Sequence, residues 1–303
     1  MKKKKIGKVD IRSFGPKTDL LLSIVLGLFA LSCIFPFIFV IIVSFTSETS
    51  ITIHGYSLFP KEWSLEGYRY LYDFRHQLFS SLGVTVFVTV VGTFINTTFT
   101  STYAYAISRD NFAYRKFFTK FALVTMLFSA GMVPNYIVVT RLLGLKDTIW
   151  ALILPMALSP FNIIVMRTFF KKNVPNAIIE SARIDGATEF RIFLQIVLPL
   201  AVPGIATISL FAALGFWNDW FNALLYINSD NLMPLQYLLM KIQANLDYIN
   251  QNSGISGITG QMNIPREATR MALVVISTVP IAISYPFFQR YFVSGLTVGG
   301  VKE

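Results

Sequence analysis

The sequence predicts an all-α membrane protein with six transmembrane helices. Of its 303 residues, 54% are hydrophobic and 14% are charged, whereas an average soluble domain carries about 25% charged residues. The apolar residues are gathered into long blocks rather than spread along the chain. Blocks of this length favour the lipid bilayer as the solvent over an unusually large soluble core.

Six apolar segments are long enough to cross a hydrocarbon layer of about 30 Å, which takes about 20 helical residues. We place them at residues 20–45, 82–107, 118–140, 149–169, 199–226 and 269–288. The third segment is the weakest, because Gly131, Pro134 and Asn135 interrupt it. Inside a membrane helix, proline leaves a backbone carbonyl without its helical hydrogen bond, and neighbouring groups can supply that bond. We expect this of Pro36, Pro155, Pro160, Pro203 and Pro280.

Basic residues set the predicted orientation. The net charge is +10. Most of the 26 Lys and Arg residues flank the apolar segments on the side of the membrane where the N-terminus is placed. Loops rich in Lys and Arg stay inside the cell, so both termini are predicted to be cytoplasmic. This divides the chain into a basic segment at 1–19, a six-helix membrane domain at 20–290 and a tail at 291–303. Because no nucleic-acid-binding signature accompanies the charge, no nucleic-acid partner is expected.

Cysteine and histidine are too sparse for a metal site. Cys33 lies inside an apolar block, and His54 and His76 lie in the first polar loop. No cluster has metal-ligand spacing, so no metal and no cofactor are expected. The sequence also lacks the Gly-x-x-x-x-Gly-Lys-[Ser/Thr] motif, so it does not bind ATP through a P-loop of its own.

Three of the polar segments between the predicted spans are long. Two of them, 46–81 and 227–268, are predicted to lie outside the cell. The second contains the glycine-rich stretch 252–260, which we interpret as a mobile solvated loop because glycine permits unusual backbone angles. The third, 171–198, is predicted to lie inside, where it is too polar to span the membrane.

The inside segment 171–198 has the pattern of a short helix–turn–helix over 176–197. Pro175 suits the first turn of a helix, and Glu180 and Arg183 are spaced as an i,i+3 pair. Asp185 and Gly186 predict the turn, because glycine supplies the positive φ that tight turns need. Each helix is predicted to have one apolar face. The first face comprises Ile178, Ile179 and Ala182, and the second comprises Phe190, Phe193, Leu194 and Val197.

The same segment resembles the signature loop of ABC-importer permeases. It reads Glu180-Ser-Ala-x-x-Asp185-Gly186-Ala187, followed by Ile196-x-Leu198-Pro199, and the family consensus runs from Glu-Ala-Ala to Asp-Gly-Ala. Ser181 stands where the consensus has its first alanine, so the departure replaces one small residue by another. The residues that match the coupling motif are Glu180, Ser181, Ala182, Asp185, Gly186 and Ala187.

The resemblance extends from residue 20 to the end of the chain and is to the carbohydrate-uptake class of maltose-type permeases. It looks most like the second permease of complex-oligosaccharide systems. The stretches that carry it are Gly131–Asn135, Asp147–Pro155, Met166–Phe170, Trp217–Trp220, Pro234–Gln236 and Gln289–Lys302.

The resemblance implies a type I ABC importer permease fold in the bacterial cytoplasmic membrane. It implies a heterodimer with a second homologous permease, a cytoplasmic ATPase dimer gripping the 176–197 element, and an extracytoplasmic solute-binding protein. The cargo would be an oligosaccharide. ATP hydrolysis would belong to the partner, so this chain is not expected to be an enzyme. By its position, the 252–260 stretch would contact the solute-binding protein.

A second cluster suggests the transport path. Charges inside membrane spans are costly and therefore point to function, and Asp219 lies in the fifth predicted span among aromatic and amide side chains. Aromatic faces and carboxamides are typical of sugar recognition, which makes Trp217, Asn218, Asp219, Trp220 and Asn222 a possible substrate path. An interfacial aromatic belt explains the same residues.

Other interpretations stay open at this point. The polar run 96–102 in the second span is typical of helix–helix contacts, although it could line a path. Amino-acid and peptide importers share the signature loop, so that loop does not define the cargo. A secondary transporter is a further alternative, but it would more often show inverted repeats and several buried acids.

Overall fold

The computed structural model describes residues 16–252 and 265–298, and this part of the chain is predominantly helical. The α-helices are α1 Pro16–Ser44, α2 Glu48–His54, α3 Glu66–Asp73, α4 Arg75–Ser108, α5 Arg115–Leu127, α6 Met132–Ile137, α7 Trp150–Ile153, α8 Pro160–Asn173, α9 Asn176–Ile184, α10 Glu189–Ile192, α11 Leu198–Leu200, α12 Val202–Trp217, α13 Phe221–Tyr226, α14 Leu235–Asn252 and α15 Arg266–Val298. Within the described ranges, extended pairing is limited to one bridge between Thr46 and Trp63.

Four short segments depart from α-helical geometry. Val138–Leu142 and Phe193–Val197 are π-helical, and Leu154–Met156 and Asp230–Leu232 are 3₁₀-helical. Each π-helical segment continues an α-helix, so it shifts the direction in which the following side chains point.

The chain forms two compact units, Met1–Tyr70 with Ile264–Val275, and Leu71–Asn263 with Ile276–Glu303. In the first unit, the Glu48 carboxylate accepts hydrogen bonds from the backbone N–H groups of Glu267 and Ala268 at the start of α15. These donors have no partner within the helix, so the carboxylate satisfies them and complements the helix dipole. The hydroxyl of Tyr56 donates to Glu267 over 2.6 Å, which raises the pKa of Tyr56 to about 12.

The second unit is organised around α4, which contains 34 residues and is therefore about 50 Å long. A Cβ atom on Gly92 would lie 2.7 Å from the Phe216 ring, so only glycine allows α12 to come this close. The Asn96 amide donates to the carbonyl of Met156 over 2.9 Å, and the Thr97 and Ser209 hydroxyls are 3.0 Å apart. The polar run 96–102 thus makes helix–helix contacts, as one of its two interpretations predicts.

The spans are more broken than the sequence predicts. By length and composition, Lys17–Ser44 and Arg75–Ser108 could each cross a membrane unaided. Three further pairs of helices reach that length only together, and they bend by 114°, 50° and 82°. Counting each pair as one span gives up to five in the described part of the chain. The sixth predicted segment, 269–288, lies within α15, which is not among them.

Helices extend into the predicted loops. The predicted outer loop 46–81 contains α2, α3 and the first seven residues of α4, which begins at Arg75. The predicted loop 227–268 contains α14, an 18-residue helix. The glycine-rich stretch 252–260 lies, apart from Asn252, outside the described residues.

Glycine or proline lies at each of the three bends. Gly131 has φ of 83°, and the chain turns there between α5 and α6. Pro160 and Pro203 lie in the first turns of α8 and α12, where a missing N–H costs nothing. The expectation of mid-helix prolines is therefore wrong for these two residues and holds for Pro36 in α1 and Pro280 in α15.

Candidate functional site

The turn at Asp185 and Gly186 is built by backbone geometry. Helix α9 ends at Ile184, and Gly186 adopts φ of 80°. The N–H of Gly186 donates to the carbonyl of Arg183 over 3.0 Å, and the N–H of Ala187 donates to the carbonyl of Ala182 over 2.9 Å. This is a Schellman motif, in which glycine avoids the steric cost of a left-handed residue. The motif explains why the sequence reads Asp-Gly-Ala here.

Thr188 restarts the chain as a helix directly after the turn. Its hydroxyl accepts a hydrogen bond from the N–H of Arg191, which caps α10. Such caps contribute about 1 kcal/mol to helix stability. The predicted helix–turn–helix at 176–197 is therefore present, with a C-cap glycine and an N-cap threonine separated by one residue.

The six residues that match the signature loop differ in exposure. The side chains of Glu180, Ser181 and Asp185 are exposed, and Gly186 is exposed as well. Ala182 is buried and Ala187 is half-buried. The motif therefore supplies a polar outer surface and a small-residue inner surface at the same turn.

The inner surface of the element joins the main apolar core of the second unit. Ile179, Ala182, Ile192, Phe193 and Val197 are buried in one cluster with residues from α4 and α8. Burying an Ile, Val or Phe side chain contributes about 1.5–3 kcal/mol relative to leaving it in water. This core packs the helix–turn–helix at 176–197 firmly against α4 and α8.

The residues of each predicted apolar face differ in exposure. Phe190 is 72% exposed, and Ile178 and Leu194 are also exposed. Leu194 lies in the π-helical segment Phe193–Val197, which changes the periodicity on which the prediction relied. Ile184 is 87% exposed, so the element presents four apolar side chains away from its core.

The predicted pair of Glu180 with Arg183 is replaced by another. The Arg183 guanidinium Nε donates to Glu189 Oε1 over 2.7 Å, across the turn. This hydrogen bond raises the pKa of Arg183 above its ordinary value. The pair ties α9 to α10, whereas an i,i+3 pair would have tied α9 only to itself.

Three contacts to the end of α4 were not predicted from the sequence. The Tyr105 hydroxyl donates to Glu189 Oε2 over 3.1 Å. Arg109 is only 5% exposed, and its guanidinium donates to Asn176 Oδ1 over 3.4 Å and lies 5.3 Å from the centre of the Tyr105 ring. Burial lowers the pKa of Arg109. A tyrosine and an arginine four residues apart at the end of a span were the available signal.

The Trp217–Asn222 cluster lies at a helix break rather than in a continuous span. Helix α12 ends at Trp217 and α13 begins at Phe221. Asp219 accepts hydrogen bonds from the backbone N–H and the side-chain amide of Asn222, at 3.1 and 2.9 Å. The Asn218 amide donates to the carbonyl of Leu214. The prediction of Asp219 within an unbroken helix is wrong, because its carboxylate supports the start of α13.

A cavity of about 490 Å³ lies beside Trp217, between α4, α12 and α15. Its wall is mostly apolar and includes the side chains of Thr89, Thr93, Thr97 and Ser209. The indole N–H of Trp217 donates to the carbonyl of Ser277 over 3.4 Å. The structure thus brings Trp217 to the cavity, whereas Asn218, Asp219, Trp220 and Asn222 are not among its lining residues.

Comparison with known proteins places this architecture. The chain is 42% identical over 270 residues to protein LplC of Bacillus subtilis (strain 168), covering 89% of each chain. It is 41% identical over 288 residues to the polygalacturonan/rhamnogalacturonan transport system permease protein YtcP of the same organism, covering 94% of this chain and 98% of the relative.

A solved structure agrees with these relatives. The crystal structure of a bacterial ABC transporter involved in the import of the acidic polysaccharide alginate contains a chain with a TM-score of 0.77 and 31% identity. The match covers 92% of this chain and 99% of that one. The family model for the inner membrane component of binding-protein-dependent transport systems matches residues 10–298. The chain therefore belongs to the family of inner membrane components of binding-protein-dependent transport systems.

Proposed function

We propose that this chain is a membrane-spanning permease subunit of an ATP-driven importer of oligosaccharides. It would form half of the translocation path, cross the bacterial cytoplasmic membrane six times and keep both termini in the cytoplasm. Its partners would be a second homologous permease, a cytoplasmic ATPase dimer and an extracytoplasmic solute-binding protein. The observation that carries the proposal is the glycine-capped helix–turn–helix at 176–197, which presents apolar side chains away from its own core.

The exposed side of this element suits a protein partner. Ile184 and Phe190 flank the turn and are 87% and 72% exposed, and the carboxylates of Glu180 and Asp185 lie beside them. Large exposed apolar side chains rimmed by polar ones are typical of protein interaction sites. Since the buried side of the element packs on α4 and α8, an ATPase that grips the turn would move both helices.

The orientation can be tested by cysteine labelling, because Cys33 is the only cysteine of the chain. In a Cys33→Ser background, Ile184→Cys is expected to react with a membrane-impermeant maleimide in inverted vesicles. It is not expected to react in cells whose cytoplasmic membrane is intact and whose outer layers let the reagent through. Phe59→Cys, which is equally exposed at 87%, is the matched control and is expected to react only from outside. Labelling of Ile184→Cys from outside would contradict the proposal.

The function is tested by co-purification and uptake. A tagged chain is expected to bring down a second permease and an ATPase, and the complex in proteoliposomes is expected to import an oligosaccharide only with ATP and a solute-binding protein. Uptake driven by an ion gradient without ATP would instead indicate a secondary transporter. Uptake of amino acids or peptides would leave the importer but change its cargo.

The proposed cargo rests on the relatives. One is named for polygalacturonan and rhamnogalacturonan and one transporter for alginate, and these polymers contain uronic acids. We therefore propose that uronate-containing oligosaccharides belong in the first panel tested. Thermal stabilisation of the purified solute-binding protein by that panel, with neutral maltose-type sugars as the comparison, identifies the ligand.

The Trp217–Asn222 cluster is proposed as part of the substrate path on narrower grounds. Trp217 lies at the edge of a mostly apolar cavity whose lining also includes Thr97 and Ser209, and aromatic and aliphatic side chains can pack on the apolar faces of sugar rings. Trp217→Ala and Asp219→Ala are expected to reduce uptake. Unchanged uptake in both variants would remove the cluster from the path.

A further inference from the structure

Glu189 lies where three elements meet. Its Oε1 accepts from Arg183 of α9, and its Oε2 accepts from Tyr105 of α4, at 2.7 and 3.1 Å. Glu189 itself is the first residue of α10. One carboxylate therefore connects both helices of the 176–197 element to the end of a membrane helix, across the glycine turn.

The end of α4 is rigidly held where it meets this carboxylate. The Tyr105 ring lies 4.9 Å from the Phe193 ring and 6.1 Å from the Phe170 ring, measured between centroids. Arg109 covers the same ring and bonds Asn176 at the start of α9. The Tyr105 hydroxyl has a fixed direction, because its ring is packed on several sides.

The other end of α4 is also tied by side chains. The Gln77 amide donates to the carbonyl of Asp230 over 2.7 Å. The buried Thr85 hydroxyl accepts from the N–H of Leu235 over 2.8 Å. The Asp147 carboxylate holds the preceding loop by accepting from the N–H groups of Asn228 and Ser229, each at 2.9 Å. A helix about 50 Å long thus connects the 176–197 element to the 228–235 loop.

We propose that Glu189 is a positioning residue that fixes the coupling turn to α4 through Tyr105. A displacement of the turn by a motor subunit is then delivered along α4 to the 228–235 loop. This inference rests on the proposed function. The apolar core keeps the element folded without Glu189, and exposed ion pairs add little stability, so the contribution of the carboxylate is to direction rather than to folding.

The test uses the complete complex with its ATPase, second permease and solute-binding protein in proteoliposomes. The readout is the amount of oligosaccharide imported per ATP hydrolysed. Tyr105→Phe removes one oxygen and keeps the packed ring, and it is expected to lower this ratio about twofold to thirtyfold, which is the range that typical coupling energies correspond to. Glu189→Ala is expected to lower it at least as much, with the complex still assembled.

The matched control is Tyr103→Phe. Tyr103 lies on the same helix, and its hydroxyl donates to the carbonyl of Phe118 over 3.0 Å rather than to the coupling element. This variant is expected to keep the wild-type ratio. An equal loss in Tyr103→Phe and Tyr105→Phe would overturn the proposal.

A double variant completes the test. If the two residues act as one link, Tyr105→Phe with Glu189→Ala is expected to be no worse than Glu189→Ala alone. Losses that multiply would overturn the proposal, as would failure of the Tyr105→Phe chain to bring down the ATPase. A wild-type complex with no ATP-dependent uptake would instead contradict the proposed function itself.

Discussion

Two helix breaks of the second unit contain the predicted site residues, and they are built in different ways. The break at Asp185 and Gly186 directs its polar side chains to other elements, because Glu189 bonds both Arg183 and Tyr105. The break at Asn218 and Asp219 is closed on itself, because Asp219 bonds Asn222 three residues later. The first also presents Ile184 and Phe190 outward. A break that connects elements suits transmission of motion, and a self-satisfied one suits a fixed bend.

The largest expected effect tests the glycine of the first break. Gly186→Val forces a β-branched residue into the left-handed region, at a cost of at least about 1–2 kcal/mol. A Cβ atom there has no neighbour within 4 Å, so the cost is backbone strain rather than a clash. A free-energy cost of about 1.4 kcal/mol lowers the population of a conformation about tenfold. We therefore expect the native turn to be less populated and uptake to fall more than about tenfold.

Gly55→Val is the matched control for this variant. Gly55 has φ of 73° and ψ of −171°, a conformation that essentially only glycine adopts, and equally open surroundings, but it lies outside the 176–197 element. Gly55→Val is expected to lose at least as much stability in thermal unfolding and to keep most uptake. Equal loss of uptake in both variants would show that strain at any glycine is sufficient and would break the comparison.

The next effect tests the second break. Asp219→Ala removes the acceptor for the Asn222 N–H, and we expect a loss of about 1 kcal/mol of local helix stability, as for other capping residues. Asn222→Ala, which keeps its backbone N–H, is expected to lose less. Thermal unfolding in detergent measures both. An Asp219→Ala chain with wild-type stability would contradict the structural role of this carboxylate at the start of α13.

A smaller, pH-dependent effect is expected at Asp147, which connects elements like the first break. Hydrogen bonds from the Ser229 hydroxyl, the Ser229 N–H and the Asn228 N–H hold the pKa of Asp147 below its ordinary value of 3.8. The stabilisation is therefore present above that value and is lost as the pH falls through the lower, folded-state pKa. Asp147→Asn is expected to reduce stability at pH 7 and to flatten the acid limb of unfolding measured between about pH 5 and 2. An acid limb identical to that of the wild type would contradict this.

The smallest effect concerns the stability contribution of the Arg183–Glu189 pair. Both side chains are partly exposed, at 34% and 52%, and exposed pairs contribute about 0–1 kcal/mol. Arg183→Gln is expected to change the free energy of unfolding by no more than this, and high salt should remove the difference. A loss above about 2 kcal/mol would assign the pair to folding and would weaken its role in direction.

Local chemistry predicted the turn at Asp185 and Gly186 correctly, because a left-handed backbone position strongly favours glycine. Residue patterns were less informative about partners. Helical spacing predicted Glu180 as the partner of Arg183, but the turn brings Glu189 of α10 to within 2.7 Å of the Arg183 guanidinium. Tyr105 lies 84 residues from Glu189 in the chain, and no local pattern reports such a contact.

Hydrophobicity alone also could not separate exposed helices from packed ones. The 18-residue window of α1 has a mean hydropathy of 2.8 and is 0% buried within the chain, whereas that of α4 has 2.1 and is 22% buried. Lipid and protein interior are both apolar, so composition does not distinguish them. Small and hydroxyl residues such as Gly92 and Thr97 mark the packed helix, because close helix approach and interhelical hydrogen bonds need them.

The sequence by itself determined the membrane class of this protein and the site of its glycine-capped turn. Both follow from transfer free energy and backbone sterics, which act on each segment wherever it lies. The tertiary structure decided where spans bend, which face of the 190–197 helix is buried and which carboxylate joins the turn to α4. Those outcomes depend on distances between segments remote in the chain, and a π-helical turn or a helix break changes such distances without a strong local signal.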